Sequence, residues 1–159
     1  MAKSDVKVKS GIDKLYELSK PFANKDIQWR VQRLTRDGQS GLALAYINAR
    51  QVQDRLNEVM GVDWQNKTIN YGSKTICHLG LKLDGEWVWR SDGAGDTQFE
   101  ADKGAMSDAF KRSAVLFGVG RHLYDLPSVF VKCETVNGKF KKFLEDPWDV
   151  VRRKNSDFS

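Results

Sequence analysis

The chain is poor in the side chains that build catalytic and metal centres. Its 159 residues include only two cysteines and two histidines. Cys77 and Cys133 are too few for a disulfide framework, and a reducing cytosol is the simpler setting. A zinc site would have to draw on Cys77, His78, His122 and Cys133 together. Their spacing matches no zinc module, and Cys77 and His78, adjacent on an expected strand, point to opposite faces. A Ser-His-acid triad has little to draw on, and there is no nucleophile elbow. No Gly-rich loop ends in Gly-Lys-Ser or Gly-Lys-Thr. Lys103-Gly104 and Gly93-Ala94-Gly95 lack the rest of a P-loop, so ATP hydrolysis is not expected. No apolar run approaches bilayer length, and Met1-Ala2-Lys3-Ser4-Asp5 lacks the apolar run of a signal peptide. The expectation is a soluble, cytoplasmic, non-enzymatic protein without a metal or cofactor.

What the chain does have is a core and a positive charge. Hydrophobic residues make up 40%, enough to exclude wholesale disorder. The length suits one domain with short tails. The net charge is +5 and the pI about 9.2, which favours an acidic partner such as nucleic acid. Five tryptophans offer surface for stacking on unpaired bases, although such rings also fill cores.

Periodicity predicts the elements. Residues 1–10 read as a mobile basic tail. Ser10 caps a short helix with Ile12, Leu15 and Leu18 on one face, stopped by Pro21. Ile27 to Leu34 alternates as a half-buried strand with Arg30 on its polar face. A turn at Arg36 to Gly41 leads to a second strand, Leu42 to Ile47, making a hairpin. Asn48 caps a helix with Val52, Leu56 and Val59 on its apolar face, ending at Gly61. Trp64–Tyr71 and Thr75–Leu83 read as strands, and Asp84-Gly85 is a strong hairpin signal leading into Glu86–Arg90. Ser91 to Thr97 reads as a loop, followed by a long helix from about Phe99 to Phe117. Val129–Cys133 and Lys139–Phe143 form a last hairpin around Asn137-Gly138, and Arg152-Arg153-Lys154 closes a basic tail. Strands joined as hairpins mean α+β: an antiparallel β-meander and hairpins packed against the long helix in a single domain.

That helix carries the richest chemistry. Lys103, Ser107 and Lys111 recur every four residues and form one polar line, with Arg112 beside Lys111. Ala101, Ala105, Ala109, Met106, Phe110 and Phe117 supply apolar surface for a sheet. Adjacent Lys and Arg at the edge of such a helix suit a phosphate-holding surface, but a core helix with solvated cations has the same pattern. An enzymatic alternative rests on Asp92, Asp96, Glu100 and Asp102, which could hold Mg²⁺ in a nuclease. Asp96 or Thr97 also serves more simply as a helix cap.

Phe110-Lys111-Arg112-Ser113, with Phe117-Gly118-Val119-Gly120-Arg121-His122-Leu123-Tyr124-Asp125-Leu126-Pro127, resembles the Rad52/DdrA family of single-strand annealing proteins. Ala45-Tyr46-Ile47-Asn48-Ala49-Arg50 and Asp54-Arg55-Leu56-Asn57 are similar to the same family, with the meander between these blocks. The resemblance covers about residues 20 to 132. It implies a fold of the Rad52 type, ATP-independent binding of single-stranded DNA, annealing of complementary strands in recombination or repair, and assembly into homo-oligomeric rings or filaments. It also implies that the strand lies in a basic groove between a β-hairpin and the domain core. Lys111 and Arg112 match the pair that holds the backbone there, Arg30 resembles the groove arginine, and Tyr46 an aromatic lining the groove. Lys74 or Lys67 corresponds to a lysine of a second, outer DNA site. Val115 stands where some relatives carry a further basic residue, which implies a weaker grip. The implied domain spans residues 11–132, with 133–159 as a hairpin and basic tail that have no clear match. No long C-terminal region for recruiting a recombinase follows, so mediator activity is not expected; whether a recombinase or single-strand-binding protein is a partner stays open. A plain RNA-binding module of similar shape is a further alternative.

Overall fold

The structure, a computed structural model, describes residues 8–95 and 101–156. The described elements follow the order α1 (Gly11–Leu18), β1 (Gln28–Leu34), β2 (Ser40–Tyr46), α2 (Ala49–Met60), β3 (Trp64–Tyr71), β4 (Lys74–Leu83), β5 (Glu86–Gly95), α3 (Ala101–Val115), β6 (Val129–Val136), β7 (Lys139–Phe143) and α4 (Pro147–Ser156). The fold is α+β, with two antiparallel sheets ordered β3-β4-β5 and β1-β2-β6-β7. The chain divides into two compact units. One joins the α1 segment, up to Pro21, to Asn48–His122; the other joins Phe22–Ile47 to the segment from Leu123 onward.

In the first unit α1 and α2 start where the sequence signals them. Ser10 Oγ accepts from the Asp13 N–H, and the Asp13 carboxylate accepts from the Ser10 N–H, both at 3.1 Å. Asn48 and Gln51 form the same reciprocal pair at α2. Each satisfies donors that a helix start leaves open. The Arg55 guanidinium then ties the two helices together. It donates to the carbonyls of Leu18 at 3.0 Å and Lys20 at 2.7 Å, beyond the reach of α1's own hydrogen bonds. Leu18 is buried in the core, whereas Ile12 is 65% exposed. The expected apolar face of α1 is therefore divided between core and surface.

β4 is the central strand of the first sheet. Thr75, Cys77, Leu79, Leu81 and Leu83 alternate as its buried residues. Asp84 and Gly85 both have positive φ, the geometry of a two-residue turn that matches strand twist. β5 continues to Gly95, so Ser91 to Gly95 is strand rather than the expected loop. Glycine makes this possible at position 93, where a Cβ would lie 3.1 Å from the Thr75 carbonyl oxygen. The other end of that expected loop, and the expected helix start at Phe99, lie outside the described residues.

α3 covers this sheet with small side chains. Ala105, Ala109 and Ala114 are buried, as are Phe110 and Phe117. Met106 was expected on the same surface but is 52% exposed, at the margin of the buried stripe. Between the alanines, Ser113 is fully buried. Its hydroxyl accepts from the Asp92 N–H at 3.0 Å and donates to the Cys77 carbonyl at 2.8 Å. One side chain thus pins α3 to both β4 and β5.

In the second unit, Ala43, Val129, Val131 and Val151 form a core, with Trp29, Phe143 and Val150 packed against it. Trp29 meets Trp148 edge-on, with ring centroids 5.2 Å apart. The hairpin around Asn137 and Gly138 forms as expected, again with positive φ at both residues. β6 also pairs with β2, which places this hairpin in one sheet with the first. The segment read as a basic tail forms α4. Pro147 opens it, and the Asp146 carboxylate accepts from the Trp148 N–H at 2.9 Å. Val151 of α4 packs with Ala43, Val129 and Val131 in this unit's core.

Removing the Ser113 hydroxyl leaves a half-buried N–H and a buried carbonyl short of a partner. Ser113→Ala is expected to cost roughly 1–3 kcal/mol in urea unfolding, with secondary structure unchanged. A variant as stable as its parent would remove this hydroxyl from the account of how α3 docks.

Candidate nucleic-acid interface

The docking of α3 fixes where its cations emerge. With Ser113 and Ala114 facing the sheet, the preceding Lys111 and Arg112 leave at the helix edge. Lys111 Nζ lies 3.8 Å from Asp108 Oδ1, and its side chain is 27% exposed. Arg112 Nε lies 3.6 Å from Asp92 Oδ1, and its side chain is 56% exposed. The Asp92 carboxylate also accepts from the Gly93 N–H at 2.7 Å, and the Asp92 N–H is held by Ser113. Asp92 is thus oriented by its own backbone before it meets Arg112. Exposed ion pairs of this kind contribute roughly 0–1 kcal/mol. The carboxylates aim the two cations and can be displaced from them by a phosphate, which offers charge-assisted hydrogen bonds. Ser107, on the same helix, is half-buried. The Lys103 side chain lies outside the described residues.

Arg90, on β5, shows how the same chemistry serves structure. It donates to the Leu116 carbonyl at 2.6 Å, and its guanidinium lies 4.7 Å from the centroid of the Phe117 ring. It closes the C-terminal end of α3, where orphan carbonyls and the helix dipole favour a cation. No separate signal in the sequence marks this arginine.

Lys67 and Lys74 occupy the other face of the same sheet. Lys67 pairs with His78, whose neighbour Cys77 faces α3, so Lys67 points away from the helix. Lys74 lies three positions before Cys77 and falls on that outer face as well. Both are exposed. The structure therefore does not bring Lys67 and Lys74 together with Lys111 and Arg112. It gives Lys67 an aromatic neighbour instead, with Nζ 5.4 Å from the Trp89 ring centroid. The Trp89 ring lies against Gly80, where a Cβ would come within 2.9 Å of it. Trp87 stands beside it, with centroids 6.2 Å apart. The alternation Trp87-Val88-Trp89 was the signal for this pair. The described part of this face carries lysines and a histidine but no carboxylate.

Arg30 and Tyr46 belong to the second unit. The strand register sets Arg30 beside Leu44 and Gln28 beside Tyr46. The Arg30 guanidinium reaches back over the Tyr46 ring, 5.9 Å from its centroid. This is a cation–π arrangement on a sheet surface, with Arg30 exposed and Tyr46 half-buried.

The remaining candidates do not gather. Cys77 is buried on the inner face, and His78 on the outer face shares a hydrogen bond of 2.5 Å with Ser91 Oγ. Burial pushes the thiols of both Cys77 and Cys133 up, which keeps them protonated at neutral pH. Asp92 pairs with Arg112; Asp96 and Glu100, and the side chain of Asp102, lie outside the described residues. No group of three or more metal-ligating side chains occurs among the described residues. Among them, too, no helix is long and apolar enough to cross a membrane.

The chain is similar to known proteins over about 70% of its length. The single-stranded DNA-binding protein DdrA of Deinococcus radiodurans is 37% identical over 112 residues, covering 69% of this chain and 54% of that one. The protein of the same name from Deinococcus deserti is 37% identical over 116 residues, covering 72% and 58%. The chain thus spans a little over half the length of these curated relatives. No solved structure matches it. The family model described as Rad52/22 family double-strand break repair protein matches residues 13–141, across both sheets and α3, and the chain belongs to that family.

Proposed function

We propose that this protein binds single-stranded DNA and anneals complementary strands without ATP, in recombination or repair. The observation that carries the reading is the Lys111-Arg112 pair, aimed from the docked edge of α3, each cation facing a carboxylate that a phosphate can displace. Membership of the Rad52/22 family and the likeness to the DdrA proteins support the choice of ligand. Annealing makes and breaks no covalent bond, so it calls for no catalytic constellation. It needs phosphates held while base edges stay free. Lysine and arginine do the first without reading sequence, at the cost of strong salt sensitivity.

In this reading Lys111, Arg112 and Arg30 hold phosphates, and Tyr46 offers a ring to an unpaired base. Lys67 and Lys74, on the outer face of the first sheet, serve a second strand. A chain of this size gives only a short track, so copies assemble head to tail into a ring or filament that repeats the site. Ile12 is exposed for that assembly, whereas Leu15 is half-buried and Leu18 belongs to the core.

Lys111→Ala and Arg112→Ala are each expected to weaken binding of a single-stranded oligonucleotide with the fold intact. Each is expected to lower the slope of log affinity against log salt by roughly 0.7 for one lost phosphate contact. Unchanged affinity and slope in both would take these residues out of the site. Structured RNA bound as tightly as single-stranded DNA would favour an RNA-binding module instead.

Tyr46→Ala is expected to reduce affinity more than melting temperature, because the ring lies on the sheet surface under Arg30. A large fall in melting temperature with near-normal binding per folded molecule would make Tyr46 a packing residue only.

Particle mass measured at micromolar concentration, with and without single-stranded DNA, is expected to show an oligomer. A monomer under both conditions would contradict the proposed assembly.

A further inference from the structure

β1 contains a displacement that a regular strand would not allow. Side chains three residues apart on a strand normally point to opposite faces. Here Arg30 pairs with Leu44, Val31 with Ala43, and Arg33 with Leu42. Gln32 is the extra residue of a β-bulge. The bulge rephases the strand and brings Arg33 onto the face that carries Arg30. Ala43, Val129 and Val131 occupy the other face, under α4 residues Val150 and Val151.

The register continues the row across β2. Leu42 pairs with Arg33 on one side and Phe130 on the other. The Arg33 guanidinium lies 5.8 Å from the Phe130 ring centroid, nearly the distance between Arg30 and Tyr46. Phe130 is 50% exposed. Two arginine–aromatic pairs therefore stand on one sheet face, two β2 positions apart at Leu44 and Leu42, or about 7 Å along the strand.

The charge of this face is positive. Lys132, paired with Ser40, is exposed beside Phe130 on the same strand. The nearby carboxylates are engaged. Glu134 lies 3.7 Å from both Lys141 and Lys142. Asp37, in the β1–β2 turn, accepts from the Thr35 hydroxyl at 2.7 Å and the Gln39 N–H at 3.0 Å.

We propose that Arg33 and Phe130 form a second contact for the DNA strand held at Arg30 and Tyr46, with Arg33 on a phosphate and Phe130 stacked on a base. The proposal rests on the single-stranded DNA reading above and extends its site to residues that the family resemblance did not indicate. The face matches an occupant that supplies both negative charge and flat apolar surface. Unpaired nucleotides supply both. A second copy seated face to face would set Arg30, Arg33 and Lys132 against the same cations, which repel.

The test uses the full chain and a fluorescent oligothymidylate, with affinity measured across a salt series and particle mass and melting temperature measured alongside. Arg33→Ala is expected to bind several-fold more weakly, with a salt slope lower by roughly 0.7. Phe130→Leu is expected to bind roughly tenfold more weakly with its salt slope unchanged. Phe130→Trp, which keeps a stacking ring, is expected to bind like the parent. If the parent binds and Arg33→Ala and Phe130→Leu bind equally well, this contact is overturned while the DNA reading stands. If Phe130→Leu and Phe130→Trp are equally weakened, stacking is overturned. If either substitution changes the particle mass, the face is a contact between copies and the proposal fails. If the parent itself does not bind the oligonucleotide, the reading on which the proposal rests fails with it.

Discussion

The close seat of α3 on the β3-β4-β5 sheet is the constraint on which the candidate site depends. Alanines at 105, 109 and 114 let the helix approach, and the buried Ser113 hydroxyl fixes its height and rotation against two strands. A rotation of one residue position, about 100°, would turn the Lys111-Arg112 edge elsewhere. It would also place a cation in the fully buried position where Ser113 now sits, which costs far more than burying a hydroxyl. The position of the positive charge is thus a consequence of packing, and packing of this kind is stiff.

Electrostatics then determines what the edge can do. Arg90 and Arg112 are arginines of the same unit with different roles. Arg90 donates to a helix-terminal carbonyl and lies over Phe117, so it contributes to the architecture. Arg112 faces Asp92 at 3.6 Å in an exposed pair, an interaction weak enough for another anion to replace. Such a pair aims the guanidinium without consuming it. The same logic applies in the second unit, where aromatic rings rather than carboxylates orient Arg30 and Arg33.

Much of this was legible in the sequence because it is local. Ser10 and Asn48 cap their helices, and the Asp84-Gly85 and Asn137-Gly138 turns form where the residues allow positive φ. Lys111 and Arg112 were visible as a pair because helix periodicity is regular. What was not legible depends on partners distant in the chain. Nothing in β6 announces that it pairs with β2, since that register is chosen by the shared core of Ala43, Val129 and Val131. The bulge at Gln32 hid Arg33, because strict alternation assigns it to the opposite face. β5 runs through a Gly- and Asp-rich stretch that reads as a loop until β4 lies beside it. α4 was overlooked for a different reason. Its Asp146-Pro147 start is an ordinary helix signal, but the basic run after it dominated the reading of the segment.

The central claim is that the protein brings complementary strands together by holding their backbones. The most direct measurement is the rate at which two complementary fluorescent oligonucleotides pair, with and without the protein, in the absence of any nucleotide cofactor. The account predicts pairing faster than the spontaneous rate, with the acceleration lost as salt rises in parallel with the loss of DNA binding. Pairing at the spontaneous rate, with both strands demonstrably bound by the protein, would contradict it.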